Sequence, residues 1–420
     1  MTTRTRRRHT STRARRDAPR IGLALAGGGP FGGIYEVGAL LALADSIRGF
    51  DPSRLDVYVG VSSGGFVAAA LANGLSPSQM HRLFIARAPE AAMRPALFLQ
   101  PALREYMRRA SSLPRLALRA CLDYYARHPF ERGLSASLAT LARALPTGVF
   151  DQHAVEAFLA RLFDAPGRSN DFRRLRARLY VVATHLDTGA AVTFGAKGHD
   201  HVPVSRAVAA SSALPGLFPP VEIDGQHHVD GALNKTLNAS LALDEGVALL
   251  ICVNPLVPFD ATRREPHVRS AVDTLHQGGL PLVLSQTLRA VVRSRMQAGM
   301  AKYAQRYPHA DIVLFEPARE DADMFFANLF GYAQRERVCA LAFESTRANL
   351  RERAESLAPL LSRHGLALDE SRLADRGRSL HDALCDPRPL RTSARRGVRQ
   401  TARDLSHTLD HLERRLALLR

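Results

Sequence analysis

A serine between two glycines is the strongest chemical signal in the chain. Residues 60–64 read Gly-Val-Ser-Ser-Gly, a G-x-S-x-G pentapeptide with Ser62 at its centre. A sharp turn from a strand into a helix lifts such a hydroxyl out of a sheet, and flanking glycines permit the tight turn. The N-terminus of the following helix favours negative charge beside the hydroxyl. The pattern predicts a nucleophile for acyl transfer.

A run of glycines at residues 27–33 is the second signal, with the sequence Gly-Gly-Gly-Pro-Phe-Gly-Gly. The amides of Gly27, Gly28 and Gly29 can converge on the oxyanion of a tetrahedral acyl intermediate. The same run also matches the G-x-G-x-x-G dinucleotide fingerprint, whose fold requires an acidic residue closing the second strand, roughly 20 residues on. Here the second strand closes on Ser62, so we favour the oxyanion hole.

Asp230 is the third candidate, because it is followed by Gly-Ala at the end of a predicted hairpin and can present a carboxylate at a site edge. His227 and His228 adjoin it, and we expect them to form a surface pair, with a His-assisted triad as the alternative. An α/β hydrolase with the triad order Ser, Asp, His would need a later histidine such as His267 or His276.

The elements that must position these residues are predicted from apolar runs and helical spacing. The first part of the chain reads strand, helix, strand, helix, at residues 21–26, 34–43, 55–60 and 64–71. This alternation is typical of a parallel sheet with helices on its faces.

Further strands are predicted at residues 178–183, 191–194, 221–229, 248–253 and 311–315. A helix with Asp151 as its N-cap is predicted to run through residue 163, and another is predicted at residues 204–212.

The remaining segments suggest an organisation into three parts. Residues 1–20 hold eight Arg and almost nothing apolar, and are predicted to be a disordered arm. Residues 21–320 are predicted to form the catalytic domain. Its Leu- and Arg-rich short amphipathic helices at 90–145 are predicted to be an insertion, either a lid or ordinary helices that close the core. Residues 321–420 are predicted to be a helical, Arg-rich extension. Its leucines from 405 to 419 favour a docking helix over a coiled-coil seam, because they span only about two heptads.

The order of glycine-rich turn, G-x-S-x-G and Asp-Gly-Ala resembles the patatin-like phospholipases. Residues 210–220, Ala-Ser-Ser-Ala-Leu-Pro-Gly-Leu-Phe-Pro-Pro, are similar to that family's stretch before its catalytic Asp, and the resemblance covers about residues 20–260. It implies an α/β fold, a three-layer α/β/α sandwich with a mainly parallel central sheet. It also implies hydrolysis of lipid acyl esters without a cofactor or metal, with Ser62 as nucleophile and Asp230 as its partner. Gly27, Gly28 and Gly29 match the oxyanion-hole glycines.

One position departs from the family pattern. The family usually carries Arg or Lys two places after the third glycine, where this chain has Phe31. Without that cation we expect a weaker grip on a phosphate, which favours a neutral ester as substrate.

Composition narrows the functional classes. The chain of 420 residues is 46% hydrophobic, which excludes wholesale disorder, and its four Cys lack the C-x-x-C spacing of a zinc ribbon. The net charge is +17, almost all from Arg, because only three Lys are present. Such a charge indicates an anionic partner, such as nucleic acid, a membrane surface or an acidic substrate, unless it reflects codon bias. The absence of Trp and the few other aromatics disfavour nucleic acid.

No apolar run is long enough to span a bilayer. The sequence therefore predicts a cytoplasmic serine lipid acyl hydrolase that can contact an anionic membrane peripherally. Two other readings stay open: a catalytically inactive, basic lipid-binding or scaffold protein on a hydrolase fold, and a dinucleotide-dependent oxidoreductase.

Overall fold

The computed structural model describes residues 20–86, 100–126, 144–260, 275–319 and 332–386. The predicted arm before Arg20 and the leucines from 405 to 419 lie outside the described residues. So do residues 90–99 and 127–143 of the predicted insertion.

Short strands form the framework of the molecule. In chain order they are β1 (Ile21–Leu25), β2 (Ile47–Arg48), β3 (Val57–Val61), β4 (Arg178–His185), β5 (Ala191–Phe194), β6 (Val221–Ile223), β7 (Gln226–Asp230), β8 (Leu249–Val253), β9 (Asp311–Phe315) and β10 (Ala367–Leu368).

The helices, in chain order, are α1 (Gly29–Ser46), α2 (Ser63–Ala72), α3 (Pro77–Met80), α4 (Leu103–Ala126), α5 (His153–Phe163), α6 (Val204–Ser211), α7 (Ser240–Asp244), α8 (Gly279–Arg306), α9 (Tyr332–Glu352), α10 (Ala354–Arg363), α11 (Glu370–Ala374) and α12 (Leu380–Cys385). A π-helical turn at His81–Ile85 continues α3.

Eight strands make one mixed sheet in the order β6-β7-β4-β3-β1-β8-β9, with β5 also paired to β4. Strands β4, β3, β1, β8 and β9 are parallel, whereas β5, β6 and β7 are antiparallel additions at one end. Strands β2 and β10 pair separately. The buried parallel centre explains why β1, β3 and β8 read as continuous apolar runs.

Successive residues of each central strand enter opposite layers, because side chains alternate across a sheet. Leu23 and Leu25 of β1 join the core cluster that contains α1, α2, α5, α6 and α9, whereas Ala24 joins the cluster that contains α7 and Tyr303 of α8. The sheet therefore has helices on both faces, which confirms the predicted α/β/α architecture.

Helix α1 begins earlier than predicted, at Gly29 rather than at residue 34. Pro30 fits the first turn because a residue there needs no N–H partner. The nearby glycine Gly32 permits close packing, since a Cβ at that position would lie 3.0 Å from Pro255 and 3.1 Å from the hydroxyl of Ser63. The glycine run is thus part of a helix as well as of a turn.

Two other local predictions were wrong. Asp151 is not the N-cap of α5; that residue is Gln152, and the Asp151 carboxylate accepts instead from the backbone of His153 at 2.9 Å. In the predicted insertion, the described part is a single helix of 24 residues, α4, rather than several short ones. Its apolar and basic residues follow one continuous helical period.

The described part of the C-terminal segment packs closely against α1. A Cβ at Gly38 would lie 2.3 Å from the carbonyl oxygen of Cys339, so only glycine permits this approach of α9. The buried carboxylate of Asp45 at the end of α1 pairs with Arg347, Arg372 and Arg378. Burial acts to raise its pKa, but Arg378 and Arg372 hold that pKa below the ordinary value. The domain boundary at residue 320 stays a prediction, although residues on both sides share one core.

Candidate active site

The turn after β3 holds Ser62 in a strained backbone conformation. Its φ of 54° and ψ of −124° lie where a side chain is disfavoured, and α2 begins at the next residue. A Cβ at Gly60 would lie 2.4 Å from the carbonyl oxygen of Gly64, and one at Gly64 would lie 2.5 Å from that of Leu25. Both glycines are therefore required by close approach, as expected for a nucleophile elbow.

Strand β4 brings Ser62 and Asp230 together. Its adjacent residues Val182 and Ala183 pair with Val61 of β3 and with Asp230 of β7, respectively. The end of β3, a parallel strand, and the end of β7, an antiparallel strand, therefore lie close together. The Ser62 hydroxyl donates a hydrogen bond to Oδ2 of Asp230 at 2.6 Å, although 168 positions separate the two residues.

Asp230 lies in a nearly water-free position, with 3% of its surface exposed. Burial raises the pKa of its carboxyl group to about 6, while the hydrogen bonds from Ser62 and from the backbone of Ala232 act in the opposite direction. The Ala232 N–H donates to Oδ1 at 2.8 Å and fixes the carboxylate from the side opposite the serine. A carboxylate in this state is a better proton acceptor than one in water.

The backbone of Ser62 is fixed by a second serine. The Ser62 N–H donates to the hydroxyl of Ser211 at 2.7 Å, and that hydroxyl donates to the carbonyl oxygen of Val182 at 2.6 Å. Ser211 is fully buried at the end of α6. It connects the elbow to β4, the strand whose Ala183 pairs with Asp230 of β7.

The glycine run lies beside the elbow. A Cβ at Gly27 would lie 3.1 Å from the Cβ atom of Ser62, so the turn is in direct contact with the elbow. The Gly28 N–H donates to the Ser63 hydroxyl at 3.0 Å, and Gly29, with a φ of 63°, lines the adjoining cavity. Phe31, which follows Pro30 in the first turn of α1, is buried in the core.

A mostly apolar cavity of about 160 Å³, here called the Ser62 cavity, opens over Ser62 and Asp230. The N-termini of α1 and α2 both reach its wall, which favours negative charge at this end. Its apolar lining is Pro30, Ile34, Val37, Phe66, Phe84, Ile85, Val155, Leu159, Val208, Ala209, Leu214, Leu217 and Phe218.

The histidines beside Asp230 are arranged differently from the expected surface pair. His227 is exposed, but His228 is only 2% exposed and packs against the rings of Phe194 and His185 at 5.5 and 5.7 Å. Alternation along β7 gives the physical reason, because neighbouring strand residues face opposite sides. Within the described residues, no histidine is hydrogen-bonded to Ser62 or Asp230; His267 lies outside them and His276 is exposed.

Sequence reasoning missed several residues of the site. Ser211 belongs to the Ala-Ser-Ser-Ala stretch, which carried a signal but no assigned contact. Gln152 also lines the cavity, and its side-chain amide donates to the carbonyl oxygen of Ser212 at 3.0 Å. Arg335 of α9 is the one cation among the described residues of the lining; it is buried, and a guanidinium N–H donates to the carbonyl oxygen of Phe84 at 3.4 Å. No local motif pointed to it.

Among the described residues, no helix has both the length and the apolar content to cross a membrane. None of their His, Cys, Asp and Glu side chains form a group of three or more arranged to hold a metal ion.

Solved structures similar to this chain are distant in sequence. VipD from Legionella pneumophila is 15% identical, with a TM-score of 0.32, over 77% of this chain and 67% of VipD. The type III effector ExoU of Pseudomonas aeruginosa is 16% identical, with a TM-score of 0.35, over 80% of this chain and 53% of ExoU. Human GIVD cytosolic phospholipase A2 is 16% identical, with a TM-score of 0.31, over 80% of this chain and 60% of the phospholipase. The match therefore spans about half the length of ExoU.

The family assignment comes from the sequence model of the patatin-like phospholipases, which matches residues 23–243. That range is more than half of the chain, and it extends from β1 to α7, so it contains the glycine run, the elbow and Asp230. The chain belongs to the patatin-like phospholipase family.

Proposed function

We propose that the protein is a serine acyl hydrolase that cleaves carboxylic esters of lipids. The observation that carries the proposal is the 2.6 Å hydrogen bond from the Ser62 hydroxyl to the buried Asp230 at the wall of an apolar cavity. A serine needs a base to become a nucleophile, and Asp230 is the base in contact with it. The apolar wall suits an acyl chain, since burying it removes hydrocarbon from water.

The reaction would proceed in two stages. In the first, Asp230 accepts the proton of Ser62 as the serine oxygen attacks the ester carbonyl. The proton then passes to the leaving alcohol, and an acyl-enzyme remains. In the second, Asp230 takes a proton from water, the resulting hydroxide attacks the acyl-enzyme, and the proton returns to Ser62 as the fatty acid departs. Both stages place negative charge on the former carbonyl oxygen.

Backbone amides of the glycine run would stabilise that oxyanion. Gly29 lines the cavity at the N-terminus of α1, so it is the first of the three glycines that substrate would meet. Gly27 and Gly28 would complete the hole, and for this the Gly28 N–H, which donates to the Ser63 hydroxyl at 3.0 Å, would turn from that hydroxyl to the oxyanion. Removing one such donor costs about 10²–10³ in rate in other serine hydrolases.

Labelling with a fluorophosphonate tests the assignment of the nucleophile. The probe is expected to label the wild-type chain and to leave Ser62→Ala unlabelled. Asp230→Asn should lower the labelling rate by about 10²–10⁴, the usual contribution of a general base. Ser356→Ala, at an exposed serine of α10 outside the Ser62 cavity, is a control in which the nucleophile is retained. Labelling that persists in Ser62→Ala would exclude the mechanism, and an unlabelled wild type would favour the inactive lipid-binding protein.

A lipid surface is the proposed place of action. Leu103 and Met107 on α4 and Leu145 near it are exposed by 62%, 72% and 67%. Backbone hydrogen bonds link this region to the Ser62 cavity. The Ala102 N–H donates to the Val149 carbonyl oxygen, and the Phe150 N–H donates to the Leu217 carbonyl oxygen. Leu217 is exposed and also lines the cavity. Helix α4 also carries Arg at positions 104, 108, 109, 115 and 119. An amphipathic helix with basic residues is suited to an anionic interface.

Sedimentation with vesicles can assign this surface. The double variant Leu103→Ser/Met107→Ser should bind phosphatidylglycerol vesicles several-fold more weakly than the wild type, with hydrolysis of a short-chain soluble ester unchanged. Leu186→Ser, a leucine exposed by 48% on the turn after β4, is the matched control. If deletion of residues 1–20 alone removes binding, the arm and not α4 makes the contact.

A further inference from the structure

A second cavity borders the turn that follows Asp230. It has a volume of about 680 Å³ and is formed by residues 232–240 together with the C-terminal half of α8. We call it the basic groove. Its volume falls within the range of about 300–1,000 Å³ that is typical of small-molecule sites.

Four cations line the basic groove: Lys235, Arg295, Lys302 and Arg306. No carboxylate lines it among the residues that the structure describes. Lysine is rare in this Arg-rich chain, yet two of its three lysines lie here. A composition bias toward Arg therefore does not by itself account for the charge of the groove.

The cations of α8 are spaced along one face of the helix. Arg295, Lys302 and Arg306 are seven and four positions apart, so they share a face and extend over about 16 Å at the helical rise of 1.5 Å per residue. Gly299 lies between them on the same face, and a Cβ there would meet no atom within 4 Å. The row of charges thus borders open space.

The partners of these cations leave most of their charge uncompensated. Lys235 Nζ lies 5.2 Å from the centre of the Tyr303 ring and donates to the Ser240 hydroxyl at 3.1 Å. Arg295 donates to the carbonyl oxygen of Leu233 at 3.0 Å. These are neutral partners. Arg306 pairs with the exposed carboxylate of Asp244 at 3.5 Å, and no described carboxylate lies within ion-pair distance of Lys302.

We propose that the basic groove binds a small anion carrying phosphate groups with more than one negative charge. Phosphate oxygens accept several hydrogen bonds from Arg and Lys, and charge-assisted bonds of this kind are about twice as strong as neutral ones. The spread of the cations fits two or more phosphate groups rather than one. A polynucleotide fits less well, because the one aromatic ring of the lining is buried beneath Lys235 and offers no face for stacking.

Calorimetric titration of the full chain with sodium tripolyphosphate tests the site directly. The wild type is expected to bind it at physiological salt. Lys302→Ala should raise the Kd about tenfold, and Lys302→Ala with Arg295→Gln by about a further tenfold, because each removes one charge-assisted contact. Lys197→Ala is the matched control, since it removes the same charge from an exposed residue outside the groove. That control should leave the Kd unchanged within about twofold.

A second arm separates a free phosphate from a lipid headgroup. Vesicles of phosphatidylcholine with phosphatidylinositol 4,5-bisphosphate, whose headgroup carries two phosphomonoesters, are compared with phosphatidylcholine alone, with and without tripolyphosphate as competitor. Lys302-dependent binding of either probe supports the site, and it identifies the source.

Three results would overturn the proposal. They are an absence of binding to both probes, equal losses in Lys197→Ala and Lys302→Ala, and Lys302-dependent binding of an oligonucleotide alone. Thermal unfolding of each variant shows that it is folded. Because Ser62 takes no part in these measurements, fluorophosphonate labelling reports the hydrolase function separately.

Discussion

The Ser62 cavity and the basic groove border the same short turn, Gly231–Leu233, yet they have opposite chemistry. Asp230, just before the turn, lies in the first, and Ala232 lines the second. The first is walled mostly by hydrocarbon and contains a buried carboxylate, with Arg335 as its one cation among the described residues. The second is walled by four cations and by polar groups. The described cations around this turn are therefore concentrated in the basic groove and not at the proposed reacting atoms.

The physical consequence of this separation concerns proton affinity. In the Ser62 cavity the burial of Asp230 disfavours its charged form and raises its pKa to about 6. If the cations of the basic groove faced Asp230, they would stabilise its carboxylate and lower that pKa. The turn therefore separates a site that needs a proton acceptor from a site that needs fixed positive charge.

The largest effect that would separate the two regions is expected from Ser62→Ala. Hydrolysis of a soluble p-nitrophenyl ester should fall by on the order of 10⁴-fold or more, because no other described group takes the place of the nucleophile. Tripolyphosphate titration should give an unchanged Kd. A rate in Ser62→Ala close to that of the wild type would contradict the assignment of Ser62 as the nucleophile.

The second effect is the pH dependence of hydrolysis. The proposed base must be ionised, so kcat/KM should rise about tenfold per pH unit up to about pH 6 and then level off, giving roughly 100-fold between pH 4 and pH 7. The substrate should have a leaving group that does not titrate in this range. A profile that is flat from pH 4.5 to 7 would show that Asp230 is not the base.

The third effect concerns stability. Because the pKa of Asp230 is about 6 when folded and 3.8 in the ordinary state, the folded chain binds more protons between these values, and stability falls as pH rises through this window. Asp230→Asn removes this loss. It should stabilise the protein by about 3 kcal/mol above pH 6, at about 1.4 kcal/mol per unit, and by nothing below pH 3.8. Urea unfolding at pH 7 and pH 3.5 measures the difference.

Urea unfolding at the same two pH values should show no such stabilisation for a variant in the basic groove. Lys302→Ala lies on an exposed face of α8, so its free energy of unfolding should differ from the wild type by less than about 0.5 kcal/mol at both pH values. An equal stabilisation in both variants would contradict a local origin in the Ser62 cavity.

Much of the framework was predictable because the determining signals are local. Strands β1 and β3 are apolar runs with glycines at their ends, and the elbow is a pentapeptide whose glycines are required by contacts of 2.4 and 2.5 Å. Asp230 was marked by the turn after it and by the family resemblance. These residues carry their geometry in a few neighbouring positions.

The remaining parts of the site depend on long-range pairing that no local pattern encodes. The burial of His228 follows from how β7 pairs with β4, and a shift of one residue would have exposed it. Arg335 reaches the Ser62 cavity from α9, beyond residues 23–243. The first turn of α1 lies against Pro255, over 200 positions away, since a Cβ at Gly32 would lie 3.0 Å from that ring.

Ser211→Ala should give the smallest effect on hydrolysis and tests how rigidly the Ser62 cavity must be held. The variant removes the acceptor of the Ser62 N–H and the donor to the Val182 carbonyl oxygen, both in a buried position. An unsatisfied buried N–H costs about 1–3 kcal/mol, so the elbow should loosen and kcat should fall roughly tenfold with little change in KM. Ser205→Ala is the matched control, because Ser205 is a buried serine of the same helix that accepts from Asn170 and does not line the Ser62 cavity. If kcat is unchanged while the protein is destabilised, Ser211 supports the fold but does not position the nucleophile. In either case tripolyphosphate binding should be unaffected, because α6 does not line the basic groove.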